Sequence, residues 1–393
     1  DANEAKKHVP QDFTWIINFH NNTKPIQALV PMLEIAPNTF FRGKFNSTSK
    51  EFNSSFYSPS IVYNNVEYNG IEINAESRRG KNQLTLSGKM DELKLADTIS
   101  TRNIHLDCIA TNDSLHTKLT WNNKGEKENR ADINAVVLFE GKKALQVNFQ
   151  KTEFTVNDSV WVVSPGNYVR LDTGRLTFHQ LEFTSGLASI GLNGYVSKNP
   201  NDELKISMKE FNIAYLNYFT VPRGVTMTGF VSSESGVSDL YETPIFTSNT
   251  TFKDLWINGQ ELGDGILDAS WLQPKQAVYV NGHFSKGLFM DSILIKNIAF
   301  DGFYYPKNKE NSIDIYASLI NIPLSTLQPL LKDFCSMMVG QIDGNAHITG
   351  TPDKPLITGK MDVLMRMVRV DYLGLALRAH SQPITIEENS FFF

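Results

Sequence analysis

The stretch Gly340–Val363 reads GQIDGNAHITGTPDKPLITGKMDV, and its reading decides the fold. Ile342, Gly344, Ala346, Ile348 and Gly350 share one phase before the Pro-containing turn. Ile357, Gly359, Met361, Val363, Met365 and Met367 share one phase after it. A period of two places successive side chains on opposite faces of an extended chain, so this is a strand–turn–strand unit with one apolar face. It contains no evident catalyst.

The same alternation runs outward from this hairpin. Ile190, Leu192, Gly194 and Val196 are in phase, as are Leu204, Ile206 and Met208. Val278, Val280, Gly282 and Phe284 follow, then Ile293 with Ile295, then Ile313, Ile315, Ala317 and Leu319. Polar turn clusters separate these runs, among them SPGN, SKNPND, NGQELGDG and TPDKP. Two segments show helical spacing instead, Phe211–Phe219 and Asn321–Met338, each followed by a glycine-marked pair of strands. Their shared order predicts a repeat near residues 211–290 and 321–393. The expected organisation is a β-rich segment over 1–80 and a β-sheet region over 81–393.

The 393 residues are 41% hydrophobic and 20% charged, as in folded chains. A net charge of -5 without a basic stripe argues against nucleic acid as a partner. Cys108 and Cys335 are too few for a disulfide framework and read as small buried hydrophobes. No apolar run reaches the ~18 residues of a membrane-spanning helix. The chain starts at Asp1 without an initiator Met and stops within the apolar SFFF, so it reads as a piece of something longer.

Catalytic signatures are missing. There is no phosphate-cradling loop, no nucleophile elbow and no zinc spacing among the eight histidines. GLASIG has a serine without the elbow pattern, and Asp264 and Asp268 in ELGDGILD lack the ligand ladder of a calcium loop. His179, His283 and His347 read as solvent-facing strand positions, and Trp161, Trp256 and Trp271 as packing residues. The reading is of a protein that is not an enzyme and needs no cofactor or metal.

An antiparallel sheet of many short strands can close as a sandwich, a barrel or a long curled ribbon. No Ser/Pro-rich linker marks sandwich-sized units, and in-strand glycines such as Gly194, Gly229, Gly282, Gly344 and Gly359 permit curvature. The expectation is an all-β, elongated antiparallel sheet with a few short helices.

The glycine-marked strand leading through G-T-P-x-x-P to a second strand resembles the pattern of TamB-type proteins of the AsmA-like superfamily. The segment PIFTSNTTFKDLWINGQELGDGILDASWLQPKQAVYVNGHF is similar to that family's strand, N-G-x-x-L-G turn, strand, Trp, strand series. TRNIHLDCIATNDSLHTKLTWNN and VWVVSPGNYVRLDTGRLTFHQLEF resemble the version found in Bacteroidetes-type bacteria. The resemblance covers about residues 80 to 393, and it lacks the family's membrane anchor and its terminal barrel-binding segment.

What it implies is a sheet curled lengthwise into a U-shaped groove, the β-taco, apolar inside and polar outside. The implied setting is the periplasm, with inner-membrane anchoring through an N-terminal part not in this chain. The implied function is movement of phospholipid between inner and outer membranes. The alternative is an assembly or chaperone module for outer-membrane β-barrel proteins, working with a barrel partner of the TamA type.

The expected groove lining is Ile190, Leu192, Val196, Leu204, Ile206, Met208, Val278, Val280, Phe284, Ile293, Ile295, Ile313, Ile315, Ala317, Ile342, Ala346, Ile348, Met361, Val363 and Met365. An acyl chain gains about 0.8 kcal/mol per CH₂ removed from water, on the order of 10 kcal/mol for a whole tail. That attraction has no direction, so a uniform wall suits a sliding guest.

Overall fold

The computed structural model describes residues 10–20, 27–28, 30–78, 82–95, 99–123, 128–141, 143–221, 224–242, 244–287, 289–290, 293–327, 335–371, 373–378, 382–387 and 390–392. The fold is all-β: 74% of the chain is strand and 4% helical. It divides into two compact units, Asp1–Ser185 and Gly186–Phe393.

The first unit opens with β1 (Asp12–Phe19), β2 (Leu33–Ile35), β3 (Thr39–Asn46), β4 (Glu51–Tyr63) and β5 (Val66–Arg78). It continues through β6 (Gln83–Leu95), β7 (Ile99–Ala110), β8 (Ser114–Asn123) and β9 (Asn129–Glu140). Shorter strands follow: β10 (Ala144–Phe149), β11 (Glu153–Val156), β12 (Ser159–Val163), β13 (Tyr168–Asp172) and β14 (Arg175–Ser185). From β3 to β9 each strand pairs antiparallel with the next. The β5–β6 ladder runs from Val66↔Leu95 to Arg78↔Gln83.

Local chemistry sets the tight turns. Asn64 and Asn65 join β4 to β5 with φ of 49° and 63°, and Asn157 and Asp158 join β11 to β12 with 49° and 68°. Two left-handed residues in a two-residue loop match the twist of the flanking strands, and Asn and Asp tolerate that conformation best after glycine.

The second unit holds β15 (Ala188–Val196), β16 (Glu203–Asn212), β17 (Met227–Ser238), β18 (Ile245–Ile257), β19 (Gln260–Leu272) and β20 (Ala277–Ser285). Next come β21 (Phe289–Met290), β22 (Ile293–Leu294), β23 (Ile298–Tyr304), β24 (Ile313–Pro323), β25 (Cys335–Thr351) and β26 (Lys354–Val370). The unit ends with β27 (Leu375–Leu377), β28 (Gln382–Glu387) and β29 (Ser390–Phe392). β15 to β20 pair in order, and β20 then pairs with β23, skipping the small β21–β22 hairpin. β23 to β26 continue the ladder, and β28 joins beside β26. The hairpin that opened the sequence reading is β25–β26, closed at Thr351↔Lys354.

Of the two expected helices, the first is present as a 3-10 turn, Ile213–Leu216, running into one α turn, Asn217–Thr220. Asn212 caps it, its Oδ1 accepting from the Ala214 amide at 2.9 Å. The second expectation, Asn321–Met338, is corrected. Only Leu324–Leu327 is helical among the described residues, Cys335–Met338 begins β25, and 328–334 lie outside them. Cys335 and Met338 find ladder partners in Val370 and Val368, so the strand begins inside the expected helix.

The structure also shows a recurrence. A register shift between Met208 and Phe211, with Glu210 at φ 45°, precedes the first helical turn. A shift between Leu319 and Ile322, with Asn321 at φ 55°, precedes the second. Gly229 and Gly340 then sit at the next shift in each copy. All of these keep one constant step of 111 residues, as from Glu210 to Asn321 (321 − 210). A β-bulge adds a residue and bends its strand, so both copies bend the sheet in the same way.

Candidate functional site

The second unit carries one apolar face that can be followed strand by strand. One cross-strand row reads Leu192, Ile206, Ser235, Ser248, Ala269, Val280, Gly302, Ile315, Ile348, Ile357. The neighbouring row reads Ile190, Met208, Ser233, Thr250, Leu267, Gly282, Phe300, Ala317, Ala346, Gly359. Directly paired residues project to the same side, so these rows lie on one face, roughly 40 Å long at ~4.8 Å per strand. Leu204, Val278 and Ile313 extend the face on one flank, and Phe284, Ile342, Met361 and Val363 on the other. Val196 continues the phase of Ile190 and Leu192 beyond Gly194.

Ile293 and Ile295 do not join this face. Ile293 pairs with Met290 in the separate two-stranded β21–β22 sheet. Ile295 lies in the segment before β23, where its carbonyl accepts from Ser285 Oγ at 2.7 Å. Alternation over three residues was too short a run to fix a strand.

Exposure divides the face. Ile190, Leu192, Ile206, Met208, Val278, Val280, Ile313, Ile315, Ala317 and Ile348 are only partly buried. Ile342, Ala346, Met361 and Val363 are closed into a core with Ile322, Leu324, Met338, Val368, Ile384 and Ile386, and Met365 packs against it. At that end the expected lining is closed into a core: Leu324 from the second helical turn packs there, and Ile384 and Ile386 on β28, which pairs with β26, stand beside Met361 and Gly359. The bulge at Val339/Gly340 pairs Met367 with exposed Val339 and gives the core side to Val368, so Met367 leaves the phase of Met361 and Met365. A smaller core of Ile213, Leu255 and Leu262 lies where the first helical turn meets β18 and β19.

Four hydroxyls interrupt the apolar face, and alternation alone gave no reason to name them. Ser233, Ser235, Ser248 and Thr250 are within 2.8–3.2 Å of one another in five contacts. Four hydroxyl protons complete a closed ring, Ser233–Ser235–Ser248–Thr250, so each group is satisfied without leaving the face. A Ser or Thr in such a ring is far less costly to place among apolar neighbours than one without a partner.

The first unit has an apolar face of the same kind. One row reads Leu84, Ala110, Leu115, Val137, Val147, Val169, Phe178. Leu106, Leu119 and Ile133 form a parallel row, and Leu86, Cys108, Thr117, Ala135 and Phe149 another. Almost all of these are only partly buried. Both clustered cores among the described residues belong to the second unit.

The polar faces hold the depressions. One, about 870 Å³, is walled by His105, Arg130, Asp132, Lys151 and Glu153 over Thr120. Three of its charged groups are ion-paired: Arg130 reaches Glu128 at 3.3 Å and Glu153 at 3.2 Å, and Lys118 reaches Asp132 at 3.1 Å. A second, about 590 Å³, lies over Ser55, Thr85 and Ser87. A third, about 370 Å³, lies in the second unit.

No group of three or more metal-ligating side chains converges among the described residues. Asp264 accepts from the Asp254 amide and Asp268 from Asn249 Nδ2, so both are structural strand carboxylates. His179 stacks on Tyr168. Trp161 and Trp271 are buried, at 4% and 9% exposure, while Trp256 is 41% exposed. Both cysteines are free thiols. Burial, with Asp371 nearby, pushes the Cys335 thiol up, away from thiolate reactivity.

Comparison with protein-family models gives no match, and searches of curated proteins and of solved structures give none either.

Proposed function

We propose that this chain is a segment of a bridge-like lipid-transfer protein of the TamB type, in which a continuous apolar sheet face carries the acyl tails of phospholipid. The family assignment rests on the order of the sequence motifs. The functional reading is carried by one observation: an apolar face runs unbroken across β6 to β10 of the first unit, with Leu86, Leu106, Leu119, Ile133 and Val137 half-buried and no packed layer over them among the described residues.

A face of that extent outside a core marks a binding surface. Nothing along it singles out one position, which suits a tail moving by small steps and does not suit a reaction at one carbon. In this reading the protein is not an enzyme, works in the bacterial periplasm, and meets its membranes and barrel partner through parts beyond this chain. The closed core around Ile342 is then a stop in the face and not part of the path.

Lipid extraction and native mass spectrometry of the purified chain test this. Phospholipid should copurify, and Leu119→Asp with Val137→Asp should remove it while the far-ultraviolet spectrum stays that of a sheet. Retention of the full lipid load by a folded double variant would argue against it.

The alternative, an assembly module for barrel proteins, is favoured by β1. Among the described residues β1 pairs only with β3, and it exposes Phe13 (53%), Ile16 (69%) and Ile17 (47%). An exposed apolar edge strand recruits a further strand by backbone pairing. Crosslinks from Ile16 to a nascent barrel strand, with no lipid on the face, would select that reading.

A further inference from the structure

The third depression differs from the other two in what surrounds it. Two adjacent cross-strand rows on the polar face of the second unit build it. One row is Asn281, Asp301, Tyr316, His347; the other is His283, Ala299, Ser318, Asn345. Asn281, Asp301, Tyr316, Ser318, Asn345 and Lys296 line it, and so do Gly282, Phe300, Ala317 and Ala346, the strand residues between the two rows. Asn281 and Asn345, 64 positions apart, are brought together by the ladder.

Tyr316 is 57% exposed, yet its ring is held. It stacks on His347 at 4.1 Å with an interplanar angle of 3°. His347 Nε2 is in turn 2.7 Å from Asp314 Oδ1. The His347 imidazole thus fixes one face of the Tyr316 ring, and Tyr316 lines the depression. One step along the strands, Tyr279 and Phe303 lie 5.4 Å apart and extend the aromatic surface.

The polar groups here are unspent, unlike those of the 870 Å³ depression. Among the described residues Asn281, Asp301 and Asn345 make no side-chain hydrogen bond or ion pair. Burial, with Lys296 beside it, holds the His283 imidazole below its ordinary value, which favours the neutral ring that both donates and accepts.

We propose that this depression is a saccharide-binding site, with Tyr316 as the platform for a pyranose ring. An aromatic face carries negative charge density and attracts the polarised C–H face of a sugar. Asn281 and Asn345 each offer paired donors and acceptors suited to vicinal hydroxyls, and the Asp301 carboxylate accepts from hydroxyl protons. A single lysine beside an aspartate does not make a site for phosphate or nucleic acid. A shallow open site flanked by a second aromatic pair fits an oligosaccharide better than a monosaccharide. This inference is independent of the lipid reading, since it uses polar residues of the second unit and none of the apolar side chains on which that reading rests.

The test is titration calorimetry of the full chain with chitotetraose, cellotetraose, maltotetraose and xylotetraose. At least one should bind, and Tyr316→Ala should weaken it about tenfold. Tyr316→Phe should bind as the parent does, because it keeps the ring. His347→Ala should weaken binding less than Tyr316→Ala, because it frees the platform without removing it. Absence of binding to all four sugars would overturn the proposal, and so would equal affinity in a folded Tyr316→Ala variant.

Discussion

Ile342 lies directly across the β25–β26 ladder from Val363, and both are withdrawn from solvent, at 1% and 6% exposure. The same apolar face, followed back to the Ile190–Met208 pair, is only partly buried. One face therefore serves two purposes, packing at its far end and offering a surface elsewhere. Truncating Ile342 to Ala should cost about 2–5 kcal/mol, as for other fully enclosed aliphatic residues. Ile190→Ala should cost distinctly less. Urea unfolding of the two variants, read by fluorescence, checks the difference.

Gly194 pairs with Leu204 at φ +121°, and a methyl group there would collide with the Glu203 carbonyl. Gly194→Ala should therefore destabilise the β15–β16 hairpin by about 1–3 kcal/mol through backbone strain. Hydrogen exchange should show the loss first in β15 and β16.

The hydroxyl ring on β17 and β18 should behave as a unit. Ser248→Ala removes a member with three partners and should cost about 1 kcal/mol. Replacing Ser233, Ser235 and Ser248 by Ala and Thr250 by Val should cost less than the sum of the single changes, because no hydroxyl is left without a partner. Thermal unfolding of the singles and the quadruple variant measures this non-additivity.

Glu92 is held below the ordinary carboxylate range, first by its hydrogen bond from Arg102 and then by the charges of Arg102 and Lys94. A depressed folded-state value means that the contribution is present above the unfolded value, near 4.5, and fades as pH falls through the folded one. Glu92→Gln should thus be less stable than the parent at pH 7, and the gap should close on acidification. The interaction is exposed, so the difference is small, and denaturant midpoints at several pH values will resolve it.

Much of this architecture can be read in the chain because a sheet with one wet face writes its period directly into the order of residues. Ile315, Ile348 and Ile357 fall in line as alternation predicts. Bulges are where that logic stops. The single extra residue near Arg366 moves Met367 to the other face, and nothing in MDVLMRMV marks it. Closure around Ile342 depends on Leu324 and Ile384, which are distant in sequence and carry no signal of their proximity. The depression at Tyr316 is invisible for the same reason, since its walls come from β20, β23, β24 and β25.

Placement of a photoreactive amino acid on neighbouring residues of β8 tests the central claim most directly. Leu119 and Lys118 are consecutive but face opposite sides, paired with Ile133 and Asn134 respectively. Irradiation of the chain with phospholipid vesicles should label the probe at position 119 with lipid and leave the probe at 118 unlabelled. Equal labelling at both positions, or none at 119, would contradict a lipid-carrying apolar face.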